Sequence, residues 1–367
     1  MSMAAPTPRP GILAIEAYVG GAASLPGIER VIKLSSNEGA LGPSPKAVAA
    51  YRGLGDQLHR YPDGDAKRLR QLLAQHWRLE AERIVCGNGS DDLLQLLTRA
   101  YAGPGDEVLY SAHGFSVYKI AAQASGATPV AAPEVALTAS VDQLLAKVTS
   151  ATRLVFLANP NNPTGTYLPA DEIRRLHAGL PADVLLVLDA AYAEFVDRND
   201  YEDGAAMVRN HANVVMTRTF SKIFALGGVR LGWAYCPPQV AAVLNLIRGP
   251  FNVAAPALAA GEAALLDIEF TQLAKRHNDY WRPWLTEALA GLGLQPVEGV
   301  GNFLLVGFPD RHRFPAAAAD AFLRRRGIIV RPVAGYGLPD HLRITIGRED
   351  EMRALVEALT AFLDPHR

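Results

Sequence analysis

The chain has 367 residues, 49% of them apolar and 20% charged, with a formal net charge of −1. That length suits about two domains with sizeable cores, and the near-neutral charge argues against nucleic acid or an anionic membrane as the main partner. No run of about 18 apolar residues marks a membrane span, and the Pro-rich start lacks a signal-type apolar core. The two cysteines, Cys86 and Cys236, sit in apolar contexts and read as buried free thiols of a reducing compartment, so the cytoplasm is the expected location. No Cys-x-x-Cys or His-Glu-x-x-His pattern points to a metal.

Residues 1–30 are punctuated by Pro and Gly and read as an arm or a short helix. A short strand is expected over 31–34. It runs into the turn-rich Ser35-Ser36-Asn37-Glu38-Gly39, then a helix over 45–52. Tyr61-Pro62-Asp63-Gly64 marks a second turn before a helix over 66–77. From residue 83 strands and helices alternate. Strands are expected over 83–86, 107–110, 128–131, 154–158, 184–188, 214–218 and 233–236. Helices are expected over 91–101, 116–124, 141–147 and 171–178. Short, uniformly apolar strands between helices predict an α/β fold with a mostly parallel sheet covered on both faces. Beyond residue 250 a long Ala-rich helical stretch is expected over 256–289, then strands and helices of α+β character. The expected division is an arm with part of a smaller domain over 1–45, a large domain over 46–250, and a small domain over 251–367.

In such sheets, ligands bind at the C-terminal ends of the strands, and the chemically suggestive residues fall there. Gly87-Asn88-Gly89-Ser90 opens a helix, a setting that suits a phosphate or simply a helix cap. Asp91 and Asp92 read as capping residues, because a carboxylate would repel a phosphate. Asp189 ends an apolar strand, and Tyr192 follows three residues on. Thr219-Phe220-Ser221-Lys222 delivers one lysine among hydroxyls, and Gly227, Gly228 and Arg230 follow. A Schiff-base lysine needs desolvation and a neighbouring cation. An acid for a pyridinium nitrogen and a forked cation for a phosphate complete what a pyridoxal phosphate enzyme requires.

Asn161-Asn162-Pro163-Thr164-Gly165, Asp189-x-x-Tyr192, Ser221-Lys222 and Arg230 together resemble the class I/II aminotransferases of the aspartate aminotransferase fold, over most of the chain. Leu34 to Glu38, Tyr61-Pro62-Asp63, Pro250 to Val253, Asn302 to Leu305 and Leu342 to Gly347 resemble the histidinol-phosphate aminotransferase branch. The resemblance implies the PLP-dependent transferase fold type I and pyridoxal 5′-phosphate as cofactor. It implies Lys222 as the Schiff-base lysine, Asp189 on the ring nitrogen, Tyr192 and Asn162 on the cofactor O3′, and Phe115 stacked on the ring. Gly89, Ser90, Ser221 and Arg230 would hold the phosphate, and Thr219 would also touch the cofactor. Arg343 and Arg331 would bind the anionic end of the substrate, with Tyr18 and Asn37 covering it. Tyr61 would reach the neighbouring subunit's site, which implies a homodimer.

The implied reaction passes an amino group from L-histidinol phosphate to 2-oxoglutarate. An aromatic amino-acid aminotransferase and a phosphothreonine-type decarboxylase are alternatives on the same fold. Two departures stand out. Gly39-Ala40 replaces the branch's usual Asn-Pro, on the segment that covers the substrate. Ala190 replaces its usual Glu.

Overall fold

The computed structural model describes residues 6–364. Its centre is a seven-stranded sheet in the order Ile84–Gly87, Gly232–Tyr235, Val214–Thr219, Leu185–Asp189, Thr152–Ala158, Glu107–Ser111, Thr128–Ala132. Gly232–Tyr235 runs antiparallel to both neighbours, and the other pairings are parallel. This is the mostly parallel sheet that the sequence predicts.

The strand residues are apolar because both faces are covered. Val155 and Leu157 join one core with Leu69 and Leu73 of the helix Lys67–Trp77 and Ile173 and Leu176 of the helix Ala170–Gly179. The alternate residues Leu154 and Phe156 face the other way, onto Leu93 and Leu97 of the helix Ser90–Tyr101 and Tyr118 and Ala122 of the helix Val117–Ser125. The two-residue period of a strand thus feeds two cores at once.

A second, antiparallel sheet follows in the order Gln295–Pro296, Phe303–Gly307, His341–Thr345, Arg331–Pro332. It packs with the helices Ala316–Arg325 and Glu349–Leu363 around a separate core that includes Leu304, Leu323, Ile344 and Leu355. The strand Ile32–Lys33 pairs with Ile328–Ile329, so the beginning of the chain returns to this second body.

The long helical stretch expected over 256–289 is in fact two helices, Ala255–Leu266 and Ile268–Gly291. Asp267 separates them with φ −91° and ψ 65°. Its carboxylate accepts from Ser44 Oγ at 2.5 Å and from Lys46 Nζ at 2.9 Å. No Gly or Pro stands at the break, and it is fixed by partners more than 200 positions away, which is why pattern alone runs the two helices together. The helix Pro238–Ile247, with Pro at its start, is a further element that the sequence reading passed over. Among the described residues, no helix is long and apolar enough to cross a membrane, and no group of His, Cys, Asp or Glu could hold a metal.

Candidate active site

The C-terminal ends of the central strands open onto a cavity of about 260 Å³. Asp189 is the last residue of its strand, which carries the carboxylate from a fully apolar run to the cavity edge. It is only 6% exposed. Tyr118 Oη donates to its Oδ2 at 2.7 Å and Thr217 Oγ1 donates to its Oδ1 at 3.3 Å. Burial raises the Asp189 pKa to about 6, even though both hydroxyls act in the opposite sense.

Lys222 lies in the turn after Val214–Thr219. Its Nζ donates to the Ser36 carbonyl at 3.4 Å and lies 5.6 Å from the centre of the Tyr192 ring. Burial, followed by the charge of Arg343, lowers its pKa to about 8. At neutral pH it therefore exposes far more free amine than an ordinary lysine. Tyr192 is buried, and burial pushes its pKa up to about 12. Asn37 Nδ2 donates to its Oη at 2.9 Å.

One end of the cavity is built for an anion. The helix Ser90–Tyr101 begins there behind Gly89, whose φ is 91°. Arg230 Nη1 donates to Ser221 Oγ at 3.3 Å and to the Gly227 carbonyl at 3.1 Å. A Cβ on Gly89 would stand 2.4 Å from Arg230 Nη2, and one on Gly232 would stand 2.3 Å from Ser90 N. Two missing side chains thus keep the helix end, the guanidinium and the neighbouring strand within reach of one small group. Asp91, read as a cap, instead lines the cavity and meets Arg230 Nη2 at 3.4 Å, where it occupies the cation. Asp92 does take a local role, accepting from Asn88 N at 2.9 Å.

Arg343 comes from the second body, on the strand His341–Thr345. It is buried, and burial lowers its pKa. Its Nη2 donates to the Ser35 carbonyl at 2.7 Å and its Nη1 donates to Asn162 Oδ1, while its Nε has no partner among the described residues. A buried guanidinium with a spare donor is suited to an incoming anion.

The structure thus gathers Tyr18, Asn37, Ser90, Phe115, Asn162, Asp189, Tyr192, Thr219, Ser221, Lys222, Arg230 and Arg343 around one cavity, with Gly89 against Arg230. Two expected residues stand outside it. Arg331 is half-buried, donates to the Val19 carbonyl at 2.7 Å and lies 5.7 Å from the Tyr18 ring. Tyr61 is 83% exposed and stacks on Phe251 at 4.6 Å. Tyr118 and Thr217 were missed by sequence reasoning. Each looks like an ordinary core residue in its own helix or strand, and only the fold turns it to Asp189.

Residues 29–359 match the family described as aminotransferase class I and II. Over 361 residues the chain is 63% identical to the histidinol-phosphate aminotransferase of Paramagnetospirillum magneticum, spanning 98% of this chain and 99% of that one.

The chain belongs to the class I and II aminotransferases, in their histidinol-phosphate aminotransferase branch.

The histidinol-phosphate aminotransferase of Rhodospirillum centenum is 58% identical over 98% of this chain and 99% of its own. Among solved structures, this aminotransferase is similar to the histidinol-phosphate aminotransferase of Sinorhizobium meliloti, determined in complex with pyridoxal-5′-phosphate. That match has a TM-score of 0.90, 28% identity and 99% coverage of both chains. An aspartate aminotransferase of Thermus thermophilus shares the fold, with a TM-score of 0.79 at 22% identity over 90% of this chain and 91% of its own. The architecture is that of the fold type I aminotransferases.

Proposed function

We propose that this aminotransferase binds pyridoxal 5′-phosphate at the cavity and transfers the amino group of L-histidinol phosphate to 2-oxoglutarate, giving imidazole acetol phosphate and L-glutamate. One observation carries the cofactor reading. A buried carboxylate with no ion-pair partner among the described residues and an amine with lowered pKa share one cavity that ends in an anion cup. The carboxylate suits a protonated ring nitrogen, the amine an aldehyde, and the cup a phosphate. When bound, the cofactor supplies an aldehyde and an electron-withdrawing ring that stabilises negative charge at the substrate carbon.

The chain's own groups then divide the work. Asp189 holds a proton at the ring nitrogen through a charge-assisted bond shielded from water. Tyr192 Oη and the Asn162 amide address the ring hydroxyl oxygen, and Phe115 flanks the ring. Lys222 Nζ, once free, would carry a proton away from the substrate α-carbon, and its lowered pKa of about 8 gives it a larger share of the basic form than an ordinary lysine has. Ser90, Ser221, Thr219 and Arg230 hold the phosphate, with Gly89 giving them room.

Arg343 would meet the anionic end of either substrate through its spare Nε. Arg331 would join it after leaving the Val19 carbonyl. Histidinol phosphate carries no carboxylate, so a second forked cation favours it over an ordinary amino acid. Tyr18 and Asn37 would cover the bound molecule. Tyr61 would reach the site of a second copy, which makes the working unit a homodimer of the cytoplasm. The division into an arm over 1–45, a large domain over 46–250 and a small domain over 251–367 draws support from the separate core around the second sheet, which takes in Leu34, while Val253, Ala257 and Leu265 pack into the core of the large sheet.

The test is a half-reaction. Protein loaded with cofactor is mixed with histidinol phosphate, without any oxo acid, and its visible absorbance is followed. Rapid bleaching with histidinol phosphate, and not with phenylalanine or phosphothreonine, is expected. Bleaching with phenylalanine alone would move the assignment to aromatic amino acids, and release of carbon dioxide from phosphothreonine would move it to a decarboxylase.

A further inference from the structure

Gly39, one of the two departures from the branch's usual sequence, lies where two parts of the site touch. The segment 36–39 lies across the turn that carries Lys222. A Cβ on Gly39 would stand 2.6 Å from the Ala225 Cβ, and 3.4 Å from both the Ala225 Cα and the Lys222 carbonyl oxygen. Ala225 has φ 53°, a left-handed conformation rare for a residue with a side chain, and its N–H closes the turn onto the Lys222 carbonyl at 3.0 Å. The space between positions 39 and 225 therefore holds one methyl group and not two.

The segment cannot simply lift away, because it is held from the other side. Asn302 Nδ2 donates to the Asn37 and Glu38 carbonyls at 3.1 and 3.3 Å. Asn37 N donates to Thr345 Oγ1 at 2.9 Å. Held between these residues and the lysine turn, the segment makes two contacts with the chemistry. Asn37 Nδ2 reaches Tyr192 Oη at 2.9 Å, and the Ser36 carbonyl accepts from Lys222 Nζ at 3.4 Å.

We propose that Gly39 is a positioning residue, whose missing side chain seats the segment 36–39 on the Lys222–Ala225 turn and so sets how Asn37 and Ser36 meet Tyr192 and Lys222. The glycine and the alanine form a complementary pair, and exchanging them preserves the fit. This inference rests on the cofactor reading of Lys222 given above.

The experiment is a double-mutant cycle of Gly39→Ala, Ala225→Gly and the combined exchange. Three readouts are taken: thermal stability without cofactor, affinity for pyridoxal 5′-phosphate, and the pH at which the visible band of the loaded protein titrates. Displacements of this size near reacting groups cost up to about a hundredfold. Gly39→Ala alone is expected to weaken cofactor affinity about tenfold or more and to move the titration. Ala225→Gly should stay close to the parent. The exchange should recover to within about threefold, because the next atoms stand at 3.4 Å. An unmoved titration in Gly39→Ala would overturn the proposal and leave a purely structural glycine. Failure of the exchange to recover would overturn it as well. If the parent protein itself forms no visible band with pyridoxal 5′-phosphate, the cofactor reading fails instead, and the cofactor-free stability cycle still tests whether the two positions are coupled.

Discussion

Tyr118 donates a 2.7 Å hydrogen bond to Asp189, and the two side chains are buried together beneath the cavity. Among the described residues, no ion pair offsets the cost of burying this carboxylate. Its pKa stands at about 6 against an ordinary 3.8, so between those values the folded chain keeps a proton that the unfolded chain has lost. Stability of the cofactor-free protein should therefore fall as pH rises through this window, with the loss complete above about pH 6 and amounting to about 3 kcal/mol. Asp189→Asn should flatten that dependence, and Tyr118→Phe should steepen it by removing a donor to the charged form. Urea unfolding near pH 4 and near pH 7 measures both, and an unchanged slope in Asp189→Asn would contradict the assignment.

Lys222 acts in the opposite sense. Its pKa of about 8 against an ordinary 10.5 means that the unfolded chain holds the extra proton between those values, so its contribution to stability grows as pH rises through them. In the cofactor-free protein, acetylation of Lys222, followed by peptide mass spectrometry, should show a midpoint near pH 8. Arg343→Gln should move the midpoint upward, though not to the value of a free lysine, because burial is the larger cause.

The anion cup predicts a selective loss. Charged hydrogen bonds contribute about 1.5–3 kcal/mol each, and less where solvent screens them, so Arg230→Gln should weaken pyridoxal 5′-phosphate binding about tenfold to a hundredfold. Phosphate-free pyridoxal should be nearly indifferent to the change. Asp91→Asn should tighten binding modestly, since it frees Arg230 from a competing carboxylate. Fluorescence titration with the two ligands separates these effects, and equal losses for both would remove Arg230 from the phosphate site.

If Tyr61 serves the neighbouring site, two defective proteins should repair each other. Lys222→Ala is expected to be inactive and Tyr61→Ala impaired. A mixed dimer would contain one site with Lys222 from one chain and Tyr61 from the other. Refolding the two variants together should restore activity beyond the sum of the separate proteins. No gain on mixing, with dimers shown by sedimentation, would place Tyr61 outside the site.

Much of this site is legible from local sequence because each strand end delivers its residue without help. Asp189 follows four buried apolar residues, and Lys222 follows a strand by three positions. What sequence does not display is partnership across the fold. Nothing near Tyr118 announces Asp189, which lies 71 positions on, and nothing near Gly39 announces Ala225. The break at Asp267 escaped for the same reason, since the residues that hold it lie at the start of another helix. The charge of Asp91 argues against a phosphate site on its own, and its partner Arg230, which sets its role, lies 139 positions away.

The helix Ile268–Gly291 begins at the fixed carboxylate of Asp267. It touches the large sheet's core through Ala274, then gives Trp281, Leu285 and Leu289 to the core of the second sheet. Each residue of a helix contributes about 1.5 Å of rise and about 100° of rotation. Deleting one residue between Ala274 and Trp281 would therefore swing the far body through more than a quarter turn and carry Arg343 away from Lys222. Insertions and deletions should be excluded from this stretch of the lineage, while the exposed turn at Asp310 to Arg313 is free to change length. The register of a single helix acts as the ruler that keeps two halves of one catalytic centre in phase.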